Sequence, residues 1–251
     1  MAGRYPIFEL IRSDSVITPK SPFDNDFNKH LVVCFFKDVI DELHKSGRIE
    51  EVKSYKSEFG DYPLYNARFN GENVSLIYSP SGAAMAAGVL EEAIAGGVKY
   101  IMAIGSCGVL DDIYEARVFI PYSAVRDEGT SYHYLKAEDE IAVDRRILKV
   151  IEEAFKESSL NHTIVKTWST DGLFRISFDK VKDIMMNGCY IIDMECSALL
   201  AVSKYYNIKF GQIFYSDYNS RFLMKNFKEW NKRRTDKIEL VWLAIESCLM
   251  M

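Results

Sequence analysis

VSLIYSPSGAAMAAGVLEEAIAGGVKYIMAIGSCG (74–108) reads as strand, helix and strand in close succession. VSLIYS (74–79) is a short apolar run rich in β-formers. SGAAMAAGVLEEAIAGG (81–97) is an alanine-rich helix closed by a glycine pair, and VKYIMAIG (98–105) is a buried strand running straight into Ser106-Cys107-Gly108. Three such elements within about 30 residues form the crossover unit of a parallel sheet, because parallel neighbours need a long connection, usually a helix. The small residues Gly82, Ala83, Ala84, Ala86, Ala87 and Gly88 let that helix lie close to the sheet.

The alternation continues outward. Before it, LVVCFFKDVIDELHKS (31–46) begins as an apolar run and goes on at helical spacing through Phe36, Val39, Ile40 and Leu43. Tyr62–Phe69 and Val74–Tyr78 flank Asn70-Gly71, a hairpin signal. After it, strands are expected at 117–125, 162–170, 190–194 and 208–216, and helices at 144–157, 178–187, 195–207 and 238–248. The pattern predicts a single α/β domain over 1–251, with a central, mixed, mostly parallel sheet flanked by helices. Residues 1–30, with Pro6, Pro19 and Pro22, read as an irregular surface segment.

The totals narrow the function. The chain has 251 residues, 48% of them hydrophobic, enough for one sizeable core. A formal net charge of -5 argues against a nucleic-acid partner. The basic cluster Lys228, Lys232, Arg233 and Arg234 alternates with Glu229 and Asp236 and reads as a solvated helix face. No apolar run suggests a membrane span. MAGRYPIFEL (1–10) lacks a signal-peptide core, so a cytoplasmic location is expected. The five cysteines are scattered without a CxxC pair, which points to reduced thiols and to no metal site.

Ligands of open α/β sheets collect at the carboxyl ends of strands. Three segments put polar groups there. In IMAIGSCGVL (101–110), Gly105, Ser106, Cys107 and Gly108 could turn amides and a hydroxyl toward an anion, or form only a tight turn. In YIIDMECSALL (190–200), Asp193 and Glu195 interrupt an apolar stretch where strand passes into helix. Buried carboxylates need partners, and a vicinal diol suits them. A helix N-terminus would account for Glu195 but leaves Asp193 unexplained. In GQIFYSDYNS (211–220), Asp217 could protonate a leaving group or make an Asx turn. AVRDEGTSYHY (124–134) and WSTDGLFRIS (168–177) add aromatic and charged groups that could meet a planar base, or be only charged loops with core aromatics.

Taken in order, SPSGAAMAAGVLEEAIAGGVKYIMAIGSCGVL (79–110), SAVRDEGTSYHY (123–134), TWSTDGLFR (167–175) and IIDMECSALLAVSKYYNIKFGQIFYSD (191–217) resemble the nucleoside phosphorylase and uridine phosphorylase superfamily, in its bacterial nucleoside phosphorylase-like branch. The resemblance runs from about residue 31 to the end of the chain. It implies one α/β domain whose mixed sheet closes partly into a barrel, assembled as a homodimer or homohexamer in which a neighbouring subunit completes each site. It implies cleavage of a uridine- or purine-type nucleoside by inorganic phosphate as co-substrate, giving ribose 1-phosphate and free base, with no other cofactor.

By position, the resemblance assigns Glu195 to the ribose 2′- and 3′-hydroxyls and Asp193 to the 2′-hydroxyl. Met194 falls under the sugar, and Cys107 and Gly108 border the base. Leu173 and Phe174 fall against the base, with Arg175 and Arg126 as polar contacts. Gly105, Ser106, Ser81 and Gly82 fall at phosphate, and Asp217 near the proton donor, with a register uncertain by one residue.

The chain departs from the family where phosphate binds. Ala103 stands where relatives carry an arginine, and no glycine-rich loop is found in 1–30. FGDYP (59–63) puts Asp61 close to the place of the neighbouring subunit's arginine, and Ser79 and Ser81 replace glycines. A dianion needs strong compensation, so water as nucleophile, in a nucleosidase, is the alternative to phosphorolysis. A silent nucleoside-binding protein is a third reading.

Overall fold

In this computed structural model, residues 15–57, 60–110, 118–216 and 234–251 are described. Asp217, Lys228, Lys232 and Arg233 lie outside them, as does the side chain of Arg234. Residues 15–29 form no helix or strand. Within that segment Phe23 is fully buried and meets the Phe27 ring edge-on at 5.4 Å.

The chain enters the sheet at β1 (His30–Cys34) and turns into α1 (Lys37–Lys45). The apolar run at 31–46 therefore divides, its β-branched half a strand and its amphipathic half a helix. Next come β2 (Ile49–Ser57), β3 (Gly60–Phe69) and β4 (Glu72–Tyr78), a meander whose second turn is the Asn70-Gly71 pair. Then α2 (Ala83–Ala95) crosses to β5 (Tyr100–Ser106), and β6 (Gly108–Val109) follows after one residue.

The second half supplies β7 (Val118–Asp127), β8 (Glu140–Ala142), α3 (Arg145–Ala154), β9 (His162–Thr170), α4 (Phe178–Met186), β10 (Cys189–Asp193), α5 (Cys196–Tyr205), β11 (Lys209–Tyr215) and α6 (Arg234–Leu249). Two helix starts are capped as their sequence allows. Asp144 accepts from the Arg146 amide at α3, and Ser177 accepts from the Lys180 amide at α4.

All strands of the described residues join one sheet, in the order β2-β3-β4-β1-β5-β11-β7-β9-β10-β6, with β8 on β7. The inner ladders β4-β1-β5-β11 and β7-β9-β10 are parallel. Antiparallel pairing is confined to the meander, β8, the β11–β7 seam and the β10–β6 contact. The sheet is thus mixed, its parallel part formed by the strands the sequence alternation marks.

β5 and β6 are one length of chain interrupted at Cys107, yet β6 pairs with β10 at the far end of the order. The path β5-β11-β7-β9-β10-β6 therefore returns on itself, which is the barrel-like closure. A main core surrounds Leu31, Val33, Ile101, Ile104 and Phe214, and a smaller one gathers Trp168, Val181, Cys189 and Ile192 under α4. No helix of the described residues is long and apolar enough to cross a membrane.

Candidate active site

Where β5, β9, β10 and β11 end, the chain encloses a cavity of about 290 Å³. That is near the small end of ligand sites, which run from about 300 Å³ upward. Gly105, Ser106, Cys107 and Gly108 wall it at the β5–β6 break, with Ser81 at the entry to α2 and Phe35 at the exit of β1. Ile192, Asp193, Met194 and Glu195 come from the β10–α5 junction, Thr170 and Leu173 from the end of β9, and Gln212 and Phe214 from β11. The glycine turn and the acidic pair, 85 residues apart at their nearest in sequence, thus share one wall.

The two acids divide their tasks. Asp193 is buried, and all its acceptor positions facing protein are used. Oδ1 accepts from the hydroxyls of Thr167 and Ser169, each at 2.8 Å. Oδ2 accepts from the amides of Glu195 at 2.7 Å and Cys196 at 2.6 Å. Asp193 therefore satisfies the first amides of α5 from just outside the helix, as a capping carboxylate does. Glu195 sits at the N-cap of α5, and its side chain makes no capping bond. It crosses instead to the start of α2, where Oε1 accepts from the Gly82 amide at 2.6 Å. Oε2 accepts from the Met194 amide at 3.3 Å.

The helix-terminus account suggested by sequence for Glu195 thus belongs to Asp193, and Glu195 is the acid with capacity to spare. Each carboxylate oxygen can accept two bonds. Gly82 has φ of 112°, a left-handed-side backbone that turns its amide inward and suits glycine alone.

Burial pushes the Asp193 carboxyl up, against the pull of its four donors. Burial first, then the charge of Asp193, lifts Glu195 to about 7. A proton shared by this pair belongs on Glu195, since at Asp193 it would displace a donated hydrogen bond. The Cys107 thiol is held well above its usual range by burial and by Asp193, so it stays neutral.

Behind Asp193 lies a further buried network. Ser169 Oγ also accepts from the Ser197 amide at 3.0 Å, and Ser197 Oγ donates to Glu128 Oε1 at 2.7 Å. Glu128 Oε2 accepts from the Ser131 amide at 2.9 Å. RDEGTSYHY (126–134) is tied to the acidic pair through these side chains.

Other residues singled out from sequence fall elsewhere. Arg126 does not line the cavity. Its guanidinium donates to the carbonyls of Leu135, Lys136 and Glu138 and to Ser131 Oγ, and lies 4.0 Å over the Tyr132 ring. It braces the loop after β7. Leu173 opens the 3-10 turn Leu173–Arg175 and reaches the cavity, while Phe174 is 91% exposed and Arg175 is also exposed. Gly82 meets Glu195 rather than the wall itself, and Asp61 is an exposed residue of β3.

Phe35, Thr170, Ile192, Gln212 and Phe214 were not expected from sequence. Phe35 packs so closely on Gly105 that a β-carbon there would come within 3.1 Å of its ring. For Gln212 a signal did exist, a polar residue inside an otherwise apolar strand with Phe214 on the same face. Among the described residues, no arginine, lysine or histidine lines the cavity.

Comparison with known proteins adds the family. The model of the phosphorylase superfamily matches residues 29–241. Guanosine phosphorylase of Halorubrum lacusprofundi is 24% identical over 154 residues, 61% of this chain and 64% of that protein. The chain thus matches under two-thirds of that relative's length. Among solved structures, uridine phosphorylase from Vibrio fischeri superposes with a TM-score of 0.78 at 19% identity, covering 93% of this chain and 98% of that one. AMP nucleosidase from Bacteroides thetaiotaomicron superposes with a TM-score of 0.70 at 21% identity, covering 90% and 89%. At such identities the superpositions speak for the fold alone, whereas the family model spans most of the sequence. The chain belongs to the phosphorylase superfamily.

Proposed function

We propose that this chain breaks the N-glycosidic bond of a ribonucleoside whose 2′- and 3′-hydroxyls are held by Glu195. The observation that carries this is the Glu195 carboxylate itself. It lies in the cavity wall between the starts of α2 and α5, fixed by two amides, with lone pairs left over for a diol. A sugar held there is oriented for attack at C1′, and orientation alone can contribute about 7–11 kcal/mol in favourable cases. The negative charge of the pair also favours the oxocarbenium-like sugar that forms as the base departs. Met194 and Leu173 offer apolar surface to the sugar and base. Asp217, outside the described residues, is the candidate proton donor to the base.

Two acceptors suit this chemistry. Phosphorolysis is the reaction in the names of the guanosine and uridine phosphorylases, and for it Gly105, Ser106, Ser81 and Gly82 would be the phosphate contacts that the resemblance implies. The cavity wall favours the other, water. The Gly82 amide is already taken by Glu195, Phe35 covers Gly105, and two carboxylates line the same space. A dianion there lacks a cationic partner among the described residues.

The test is base release from uridine, inosine, guanosine, adenosine and AMP, with and without phosphate. Phosphate-independent release that disappears in Glu195→Ala is the expected result. Binding of nucleosides without release of any base would leave a binding protein instead.

A further inference from the structure

We propose that Gln212 holds the attacking nucleophile, a water molecule, through its side-chain amide. The proposal rests on the cleavage reading above and names the co-substrate of that same cavity.

Gln212 lies mid-strand in β11, is only 3% exposed, and lines the cavity. Its Oε1 is buried and has no hydrogen-bond partner among the described residues. Buried polar atoms are almost always paired, so an orphan demands an explanation. Strand alternation shows which way the side chain goes. A β-carbon at Gly211 would run into Ile147 and Ile151 of α3, so that face of the strand is filled. Gln212 takes the opposite face, with Phe214 two residues on in the same cavity.

Its register partner on β5 is Ala103, and that of Phe214 is Gly105. Along this seam Gln212 is the one polar side chain among Ala103, Gly105 and Phe214. A leucine or methionine would fill such a place without desolvating an amide.

The chemistry of the amide selects the ligand. It offers an acceptor oxygen and a donor nitrogen, which together match a water that both donates and accepts. A phosphate dianion offers a single O–H donor among many acceptor lone pairs and two negative charges, and a neutral amide supplies no charge to offset them. In the step itself a lone pair of the water oxygen forms the bond to C1′ while the C1′–N bond breaks. The bonding pair leaves on the base nitrogen, and the proton lost by the water ends on that nitrogen. One water is consumed, and ribose and neutral base are released. Gln212 takes no proton; it fixes where the water stands.

Gln212→Met separates this role from a structural one, because the amide makes no bond to the described residues that the variant could lose. With the full chain and a cleaved nucleoside, kcat is expected to fall about 100-fold, the cost of a misplaced reactant. KM should stay within about 2-fold, as only transition-state contact is removed. The unfolding midpoint should be unchanged or higher. In methanol–water mixtures the ratio of methyl riboside to ribose should rise in the variant, since wild type uses a tethered water.

Wild-type kcat in the variant overturns the proposal. So does lost activity with an unchanged product ratio and a lowered unfolding midpoint, which marks a structural residue. Release of base only with phosphate overturns the water assignment while leaving Glu195 and the cleavage reading intact. Full turnover in Glu195→Ala sinks the cleavage reading and this proposal together.

Discussion

Glu195→Gln should stabilise the protein at alkaline pH while removing its activity. The Glu195 carboxyl has an ordinary value of 4.5 and is lifted to about 7 in the fold. Below 4.5 the folded and unfolded chains are both protonated there, so Glu195 adds no pH dependence. As pH rises from 4.5 to 7 the unfolded chain releases the proton and the folded chain keeps it. Unfolding then becomes easier with each step, because stability falls wherever the folded state holds more protons. Above 7 both are ionised and the loss is complete.

At about 1.4 kcal/mol per pH unit, this window has a ceiling of about 3 kcal/mol. Solvent at the cavity mouth and coupling to Asp193 reduce it to about 1–2 kcal/mol. Glutamine keeps an oxygen for the Gly82 amide and carries no charge to desolvate; its only new conflict is with the distant Met194 amide. Urea unfolding of wild type and variant at pH 4.5 and pH 8 measures the effect. The two curves should coincide at the lower pH and separate at the higher, with the variant more stable. Parallel behaviour at both pH values would show that Glu195 ionises freely, and the account of its confinement would be wrong. The same ionisation predicts that wild-type kcat/KM rises as pH passes about 7, since the charged form accepts from both ribose hydroxyls.

Two further substitutions test other parts of the site. Asp193→Asn replaces one of two oxygens that each accept two bonds by an NH2 group, opposing either the two hydroxyls or the two amides, and should cost about 2–4 kcal/mol in thermal or urea unfolding; a loss under about 0.5 kcal/mol would mean these bonds are dispensable. Phe174→Ala, at a side chain that is 91% exposed, should leave stability within about 0.5 kcal/mol, and a KM increase for nucleoside with that stability unchanged would show that Phe174 closes onto the base after all.

The fold was legible wherever one element carries one pattern. The α2 helix and the strands on either side of it are separated by composition alone, so β4, α2 and β5 lie where 74–105 predicts them. The meander strand β2 was not legible, because IEEVKSYKS places Ile49 as its buried residue and leaves Val52 and Tyr55 exposed, with a register shift between Glu51 and Lys53. An edge strand exposed on both faces and carrying a bulge has no clean alternation to read. β8, three residues long, has no periodicity at all.

The site divides along a similar line. Asp193, Glu195 and the 105–108 turn were visible because charge and glycine interrupt apolar runs, and such interruptions need a local cause. Which acid did which task was hidden, because it depends on the Gly82 amide 113 residues from Glu195 and on hydroxyls of β9. Phe35 was hidden for a different reason. In sequence it continues a core strand, and only the packing against Gly105 turns it from core into wall. That contact has a consequence for the family chemistry: an aromatic ring covers the glycine turn at which an anion would take its backbone donors. Enlarging that space by Phe35→Gly would not by itself supply an anion site, since no arginine, lysine or histidine among the described residues lines the cavity to offset a dianion. On the proposed reading, the preference for water thus rests on several described residues at once, Phe35, Gly82 with Glu195, and Gln212.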